Sequence, residues 1–149
     1  MTDEFYHKDI FGAVVDINLG AVEEEVELPL LDKKGREFNI FALTDAVGAR
    51  NKKDAWVLYQ KALSAGLSAE EIFFKIVWQV KSMLIASRTK SVAETDMKAF
   101  PYSKAKSFLK NFQPGELEKL SEDLVIGYHL ARRGEGEVWA LVEKTLLKL

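Results

Sequence analysis

Cysteine is absent from the chain, which removes disulfides, thiolate metal sites and cysteine nucleophiles together and suits a reducing compartment. Histidine is nearly absent: only His7 and His129 occur. They lie in different regions, and neither has a second ligand one helical turn away, as a zinc motif would need. His129, beside Tyr128 on a helical stripe, reads as a surface or boundary residue. Glycine-rich phosphate loops of the GxxxxGK[ST] and GxGxxG kinds are missing. Gly134-Glu135-Gly136-Glu137 sets acids where a phosphate cradle wants bare backbone, so it reads as a turn. No GxSxG elbow is present either, since Gly66-Leu67-Ser68 lacks the closing glycine. The most apolar run, Ile72 to Ile85, is interrupted by Lys75, Gln79, Lys81 and Ser82 and is too short to span a bilayer. The first residues lack the basic start and apolar stretch of a secretion signal. These absences predict a soluble, cytoplasmic, non-catalytic protein with no cofactor, no metal, no small-molecule substrate and no membrane association.

What is present is one domain's worth of apolar sequence. At 149 residues the chain is long enough for one genuine core and short for two. A net charge of -2 and a pI near 5.8 argue against wholesale electrostatic binding to nucleic acid or membrane. The distribution of charge says more than the total. Residues 1–45 hold eleven acids against four bases, while residues 75–112 hold eight bases against two acids. Such a dipole can orient a partner or hold the two segments together. The run Glu23-Glu24-Glu25 reads as solvated charge rather than a catalytic pair.

Residues 1–38 form an acidic arm with weak alternation, in Ala13 to Leu19 and again in Val22, Val26, Leu28 and Leu30, broken by Gly20 and Pro29. A short β-hairpin, an extended arm and irregular coil all fit that pattern. From residue 39 to 149 the periodicity is helical, and the fold class expected is all-α, a bundle of about six or seven short helices. Phe41 and Val47 lie on a first helix closed by Gly48. Asn51 is placed to cap a second, which carries Ala55, Leu58, Tyr59 and Ala62 and ends at Gly66. Ser68 and Glu71 have capping-box spacing at the start of a third. A short helical segment follows from Val92 to Lys98. Pro101 then opens a helix bearing Tyr102, Ala105, Phe108, Leu109 and Phe112. Pro114 suits the first turn of the next, with Leu117, Leu120, Leu124, Tyr128 and Ala131 as its stripe. Val138, Leu141, Val142, Thr145, Leu146 and Leu149 mark the last helix. Short connections imply antiparallel neighbours.

The third helix is too apolar for a one-faced element. Phe73, Ile76, Val77, Val80 and Leu84 make a sufficient core stripe, yet Phe74, Trp78 and Ile85 lie well off it. A helix apolar nearly all round is either central in its domain or half covered by another subunit. The candidate interface residues are therefore Phe74, Trp78 and Ile85, with Trp139 on the last helix. A weaker candidate is a nucleic-acid contact through Lys98, Lys104, Lys106 and Lys110, interleaved with Tyr102, Phe108 and Phe112. Helical spacing favours the plainer reading, in which the aromatics face the core and the lysines face water. Arg88 is the single arginine there, whereas arginine dominates phosphate recognition.

Three segments together resemble one family. Asn39 to Ala55 (NIFALTDAVGARNKKDA) is similar to the opening of the C-terminal domain of the delta subunit of the bacterial DNA polymerase III clamp loader, where a phrase like FxLTDAI precedes a charged turn and an alanine-rich helix. Phe100 to Phe112 (FPYSKAKSFLKNF) resembles that family's HPYxxxK helix, with Phe100 in place of the usual histidine. Leu130 to Gly134 (LARRG), followed by a turn and a leucine-rich terminal helix, is the third. Each is mostly a packing signature and weak by itself; the resemblance rests on their collinearity over about 110 residues.

The resemblance implies a helical collar that joins neighbouring subunits into a ring-like pentamer, which loads the sliding clamp onto primed DNA. The implied partners are the other clamp-loader subunits, with DNA reached only through the assembled complex. A full delta subunit also carries two N-terminal domains of the AAA+ type, and about 38 residues are too few for them. The expectation is thus a collar alone, as a fragment, a split subunit or a stand-alone relative, with no clamp-opening element. The family's ATPase activity belongs to other subunits. A stand-alone helical adaptor unrelated to replication is the alternative.

Overall fold

The computed structural model describes residues 38–149 in full, together with the backbone of two short strands in the preceding segment. These strands, β1 (Tyr6–Lys8) and β2 (Val14–Asp16), pair antiparallel with His7 opposite Val15. The expected alternation over Val22 to Leu30, and any docking of the acidic arm on the basic segment, lie outside the described residues.

The rest is an all-α bundle of six helices: α1 (Ile40–Gly48), α2 (Lys52–Ser64), α3 (Ala69–Arg88), α4 (Ala99–Phe108), α5 (Glu116–Arg132) and α6 (Val138–Leu147). Local chemistry sets the boundaries. Asn39 and Asn51 cap α1 and α2 by accepting the N–H of Phe41 and of Asp54, which satisfies amides the helix leaves free. After α2 the Leu67 N–H reaches the Ala62 carbonyl and the Gly66 N–H reaches Leu63, a Schellman ending that needs Gly66 at its φ of 101°. One residue on, Ser68 accepts from the Glu71 N–H and Glu71 accepts from the Ser68 N–H. That closes the expected capping box, a device whose hydroxyl contributes about 1 kcal/mol.

Four boundaries differ from the sequence reading. The segment after α3 is a single 3-10 turn, Val92–Glu94, held because Glu94 accepts the N–H groups of Lys90 and Ser91. Helix α4 starts at Ala99 rather than at Pro101, which falls inside its first turn, where a missing N–H costs nothing. It stops at Phe108 and tightens into a 3-10 turn, Leu109–Asn111, so Phe112 lies beyond the helix. Pro114 likewise precedes α5, whose N-cap is Gly115 in the left-handed region.

Helix α3 is the centre of the bundle, in contact with each of the other five. Ile72, Phe73, Ile76, Val80, Met83 and Ala86 are buried on it, among Leu43 and Val47 of α1, Ala55, Tyr59 and Ala62 of α2, Tyr102 and Ala105 of α4, Leu117 and Leu124 of α5, and Val142 and Leu146 of α6. Gln79 and Ser82 are buried too, at 4% and 5% exposure. These polar positions hide part of the core arc from a reading by hydrophobicity. The core face is therefore turned toward Gln79, Ser82, Met83 and Ala86, and Val77 and Leu84 sit half-buried at its edge. Gly48 explains how closely α1 approaches: a Cβ there would stand 2.5 Å from the Phe108 ring and 2.7 Å from the Gln79 amide nitrogen.

Candidate subunit interface

With one side of α3 turned into the core, the other reaches the surface between α1 and α5. Phe74 is 49% exposed and Trp78 41% exposed, although both belong to the central helix. Ile85 follows on the same side, half-buried. Aromatic contacts fix this row from both flanks. Phe41 of α1, itself exposed, meets the Trp78 indole edge-on at 6.1 Å, with the Lys75 ammonium 6.0 Å over the phenylalanine ring. On the other side Tyr128 of α5 stacks on Phe73 at 5.0 Å and meets Phe74 edge-on at 5.3 Å. Its hydroxyl donates to Glu70 at 2.8 Å. That bond, together with partial burial and the carboxylate's charge, raises the Tyr128 pKa above its ordinary value.

Tyr128, late in α5, thus packs on the first turns of α3, so the two helices run antiparallel. Farther along they part into a shallow groove of about 380 Å³ lined by Leu84, Arg88, Glu118, Ser121, Glu122, Val125 and Ile126. Val125 and Ile126 are half exposed and continue the apolar surface onto α5. The candidate set from sequence is therefore brought partly together: Phe74, Trp78 and Ile85 form one row. Trp139 is 52% exposed and stands on α6, apart from the aromatic contacts of that row. Phe41, Tyr128, Val125 and Ile126 escaped the sequence reading. Sequence places Phe41 only on a first helix and Tyr128 on the α5 stripe; the turn of α3 makes them flanks of its outward side.

The four lysines of the weaker candidate do not converge. Lys98 precedes α4 and Lys110 follows it, about 18 Å apart along the axis. Between them, Lys104 is paired with Asp45 of α1 at 2.6 Å and lies 5.4 Å over the exposed Phe100 ring. Lys106 donates to the Ala86 and Thr89 carbonyls, at 2.8 and 2.7 Å, and so caps the C-terminal end of α3. Tyr102 closes the same corner, its hydroxyl 2.9 Å from that of Thr89. Of the interleaved aromatics, Tyr102 is buried and Phe108 and Phe112 are half-buried.

The segments Asn39–Ala55 and Phe100–Phe112 meet in space. Arg50, one of the residues between α1 and α2, holds a left-handed φ of 54°. Its guanidinium reaches Glu116 at 2.6 Å and the Asn111 carbonyl at 3.3 Å, and lies 5.0 Å over the Phe112 ring. Asn111 in turn donates to the Gly48 carbonyl. Asp45 with Lys104, and Arg50 with Phe112, therefore join Asn39–Ala55 to Phe100–Phe112.

Among the described residues no helix is long and apolar enough to cross a membrane, and no cluster of three potential metal-ligating side chains occurs. Comparison with family models, with curated proteins and with solved structures finds no match.

Proposed function

We propose that this chain is a protein-assembly module, without chemistry of its own, that covers the outward side of α3 with another protein. The observation that carries the reading is the row of Phe74, Trp78 and Ile85 on the central helix, flanked by exposed Phe41 on one side and Val125 and Ile126 on the other. Isolated exposed apolar residues are ordinary, but several large apolar side chains grouped on one face are the kind of surface that marks an interaction site. Tryptophan and other aromatic residues are also the side chains that dominate binding energy at interface centres.

The resemblance in the three segments supports clamp-loader subunits in the cytoplasm as the partners, with DNA contacted through the complex they form. On that reading the module contributes adhesion to sliding-clamp loading and leaves ATP hydrolysis and clamp opening to other parts of the assembly. The experiment is affinity purification of the full chain from its native host, wild type against Trp78→Glu. The expected result is recovery of clamp-loader subunits with the wild type and their loss with a variant that still melts cooperatively. Other proteins, lost equally on substitution, would favour the alternative reading, a helical adaptor outside replication. An unfolded Trp78→Glu, or undiminished recovery of partners with it, would remove this face from the account.

A further inference from the structure

The outward side of α3 is complementary to itself. Glu71, Phe74, Trp78, Lys81, Ile85 and Arg88 succeed one another at alternating spacings of three and four residues, the spacing along which two helices meet, with three of the positions apolar and three charged. All six are exposed except Ile85, which is half-buried. The chemistry along that seam reverses about its midpoint between Trp78 and Lys81. Phe74 and Ile85 lie equally far from the midpoint, and acidic Glu71 and basic Arg88 lie equally far beyond them.

From this we infer that the partner on this face is a second copy of the chain, packed antiparallel about a two-fold axis passing between Trp78 and Lys81. An isologous interface requires a surface that complements itself under rotation, so that each contact is made twice. In an antiparallel pair the layers of this seam become Glu71 with Arg88 of the other copy, Phe74 with Ile85, and Trp78 with Lys81. The first is an ion pair, the second an apolar contact, and the third a cation held against an indole. Phe41, edge-on to Trp78, adds a second ring beside that central layer. A parallel pairing would instead set Lys81 on Lys81 and Arg88 on Arg88, so charge alone selects the antiparallel register. This inference rests on reading the outward side of α3 as an interface, and it names a second copy as the occupant. Clamp-loader subunits then join the paired chains, so that Trp78→Glu, by parting the pair, releases them as well.

Sedimentation of the full chain across a concentration series, with charge-reversed variants, tests it. The wild type is expected to pass from monomer to dimer as concentration rises. Arg88→Glu alone should weaken the dimer roughly tenfold, because the like-charge contact with Glu71 occurs twice. Glu71→Lys should do the same. It also opens the capping box, so its melting is followed alongside, and Arg88→Glu is the cleaner single reversal. The double variant Glu71→Lys/Arg88→Glu should recover the wild-type dimer. A chain that stays monomeric, single reversals without effect, or a double variant no better than the singles would overturn the inference. A monomeric chain whose other partners are still lost on Trp78→Glu would overturn the second copy while leaving the assembly role standing.

Discussion

Helices α3 and α4 are built from similar ingredients, lysines among aromatics, and use them in opposite ways. On α4 the charges are spent inside the chain. Lys104 is tied to Asp45, Lys106 holds the last carbonyls of α3, and Tyr102 is buried at the same corner. On the outward side of α3, none of Lys75, Lys81 and Arg88 forms an ion pair among the described residues, and the aromatic rings beside them stay half in water. Lysine-aromatic composition is thus no guide to a ligand site. What separates the two helices is whether a tertiary partner already answers each group.

The comparison is sharpest between the two sides of α3, and Ile76→Ala probes it with the largest expected effect. Ile76 is fully buried, so truncation leaves a cavity and should cost about 2–5 kcal/mol, lowering the melting temperature by roughly 10 °C. Trp78→Ala, a larger deletion on the opposite side, should change stability by less than about 1 kcal/mol. Equal losses in calorimetry would mean that both sides are core. Next comes Lys106→Ala, which frees two carbonyls at the end of α3 and should cost about 1 kcal/mol. Denaturant titration reads that loss. A variant of unchanged stability and much weaker DNA binding would instead return α4 to the nucleic-acid reading. The smallest effect belongs to Glu94. The Lys90 and Ser91 N–H groups, donating to its carboxylate, hold its pKa below the ordinary value of 4.5. A depressed carboxylate adds stability above its unfolded pKa and loses it as pH falls through the folded one. The turn after α3 should therefore loosen only below about pH 4.5, with Glu94 titrating in NMR at lower pH than a free glutamate.

Capping and breaking residues made much of the fold legible in the sequence. Asn51, Gly66, Ser68 and Glu71 act through their nearest neighbours, so their roles follow from spacing alone. Phe112 falls outside α4, and the group that contacts it there is distant in sequence: Arg50 lies over that ring and binds Asn111 and Glu116. The candidate interface was half legible. Phe74, Trp78 and Ile85 stood out because they exceed what one apolar stripe needs. Phe41 and Tyr128 did not, since their membership depends on how α1 and α5 lean against α3. Lys104 and Lys106 looked available for a ligand because nothing local reveals that Asp45 and two carbonyls lie within reach.

The central claim is that the outward side of α3 is where this chain meets another protein, and photo-cross-linking tests it most directly. A benzophenone amino acid is placed at Trp78 in the full chain and, as a control, at the exposed Val57 of α2, and both proteins are irradiated in the native host. The account predicts a discrete adduct from position 78, of a mass matching a second copy of the chain or a clamp-loader subunit, and none from position 57. A folded protein that gives no adduct at position 78, or the same adducts from both positions, would contradict it.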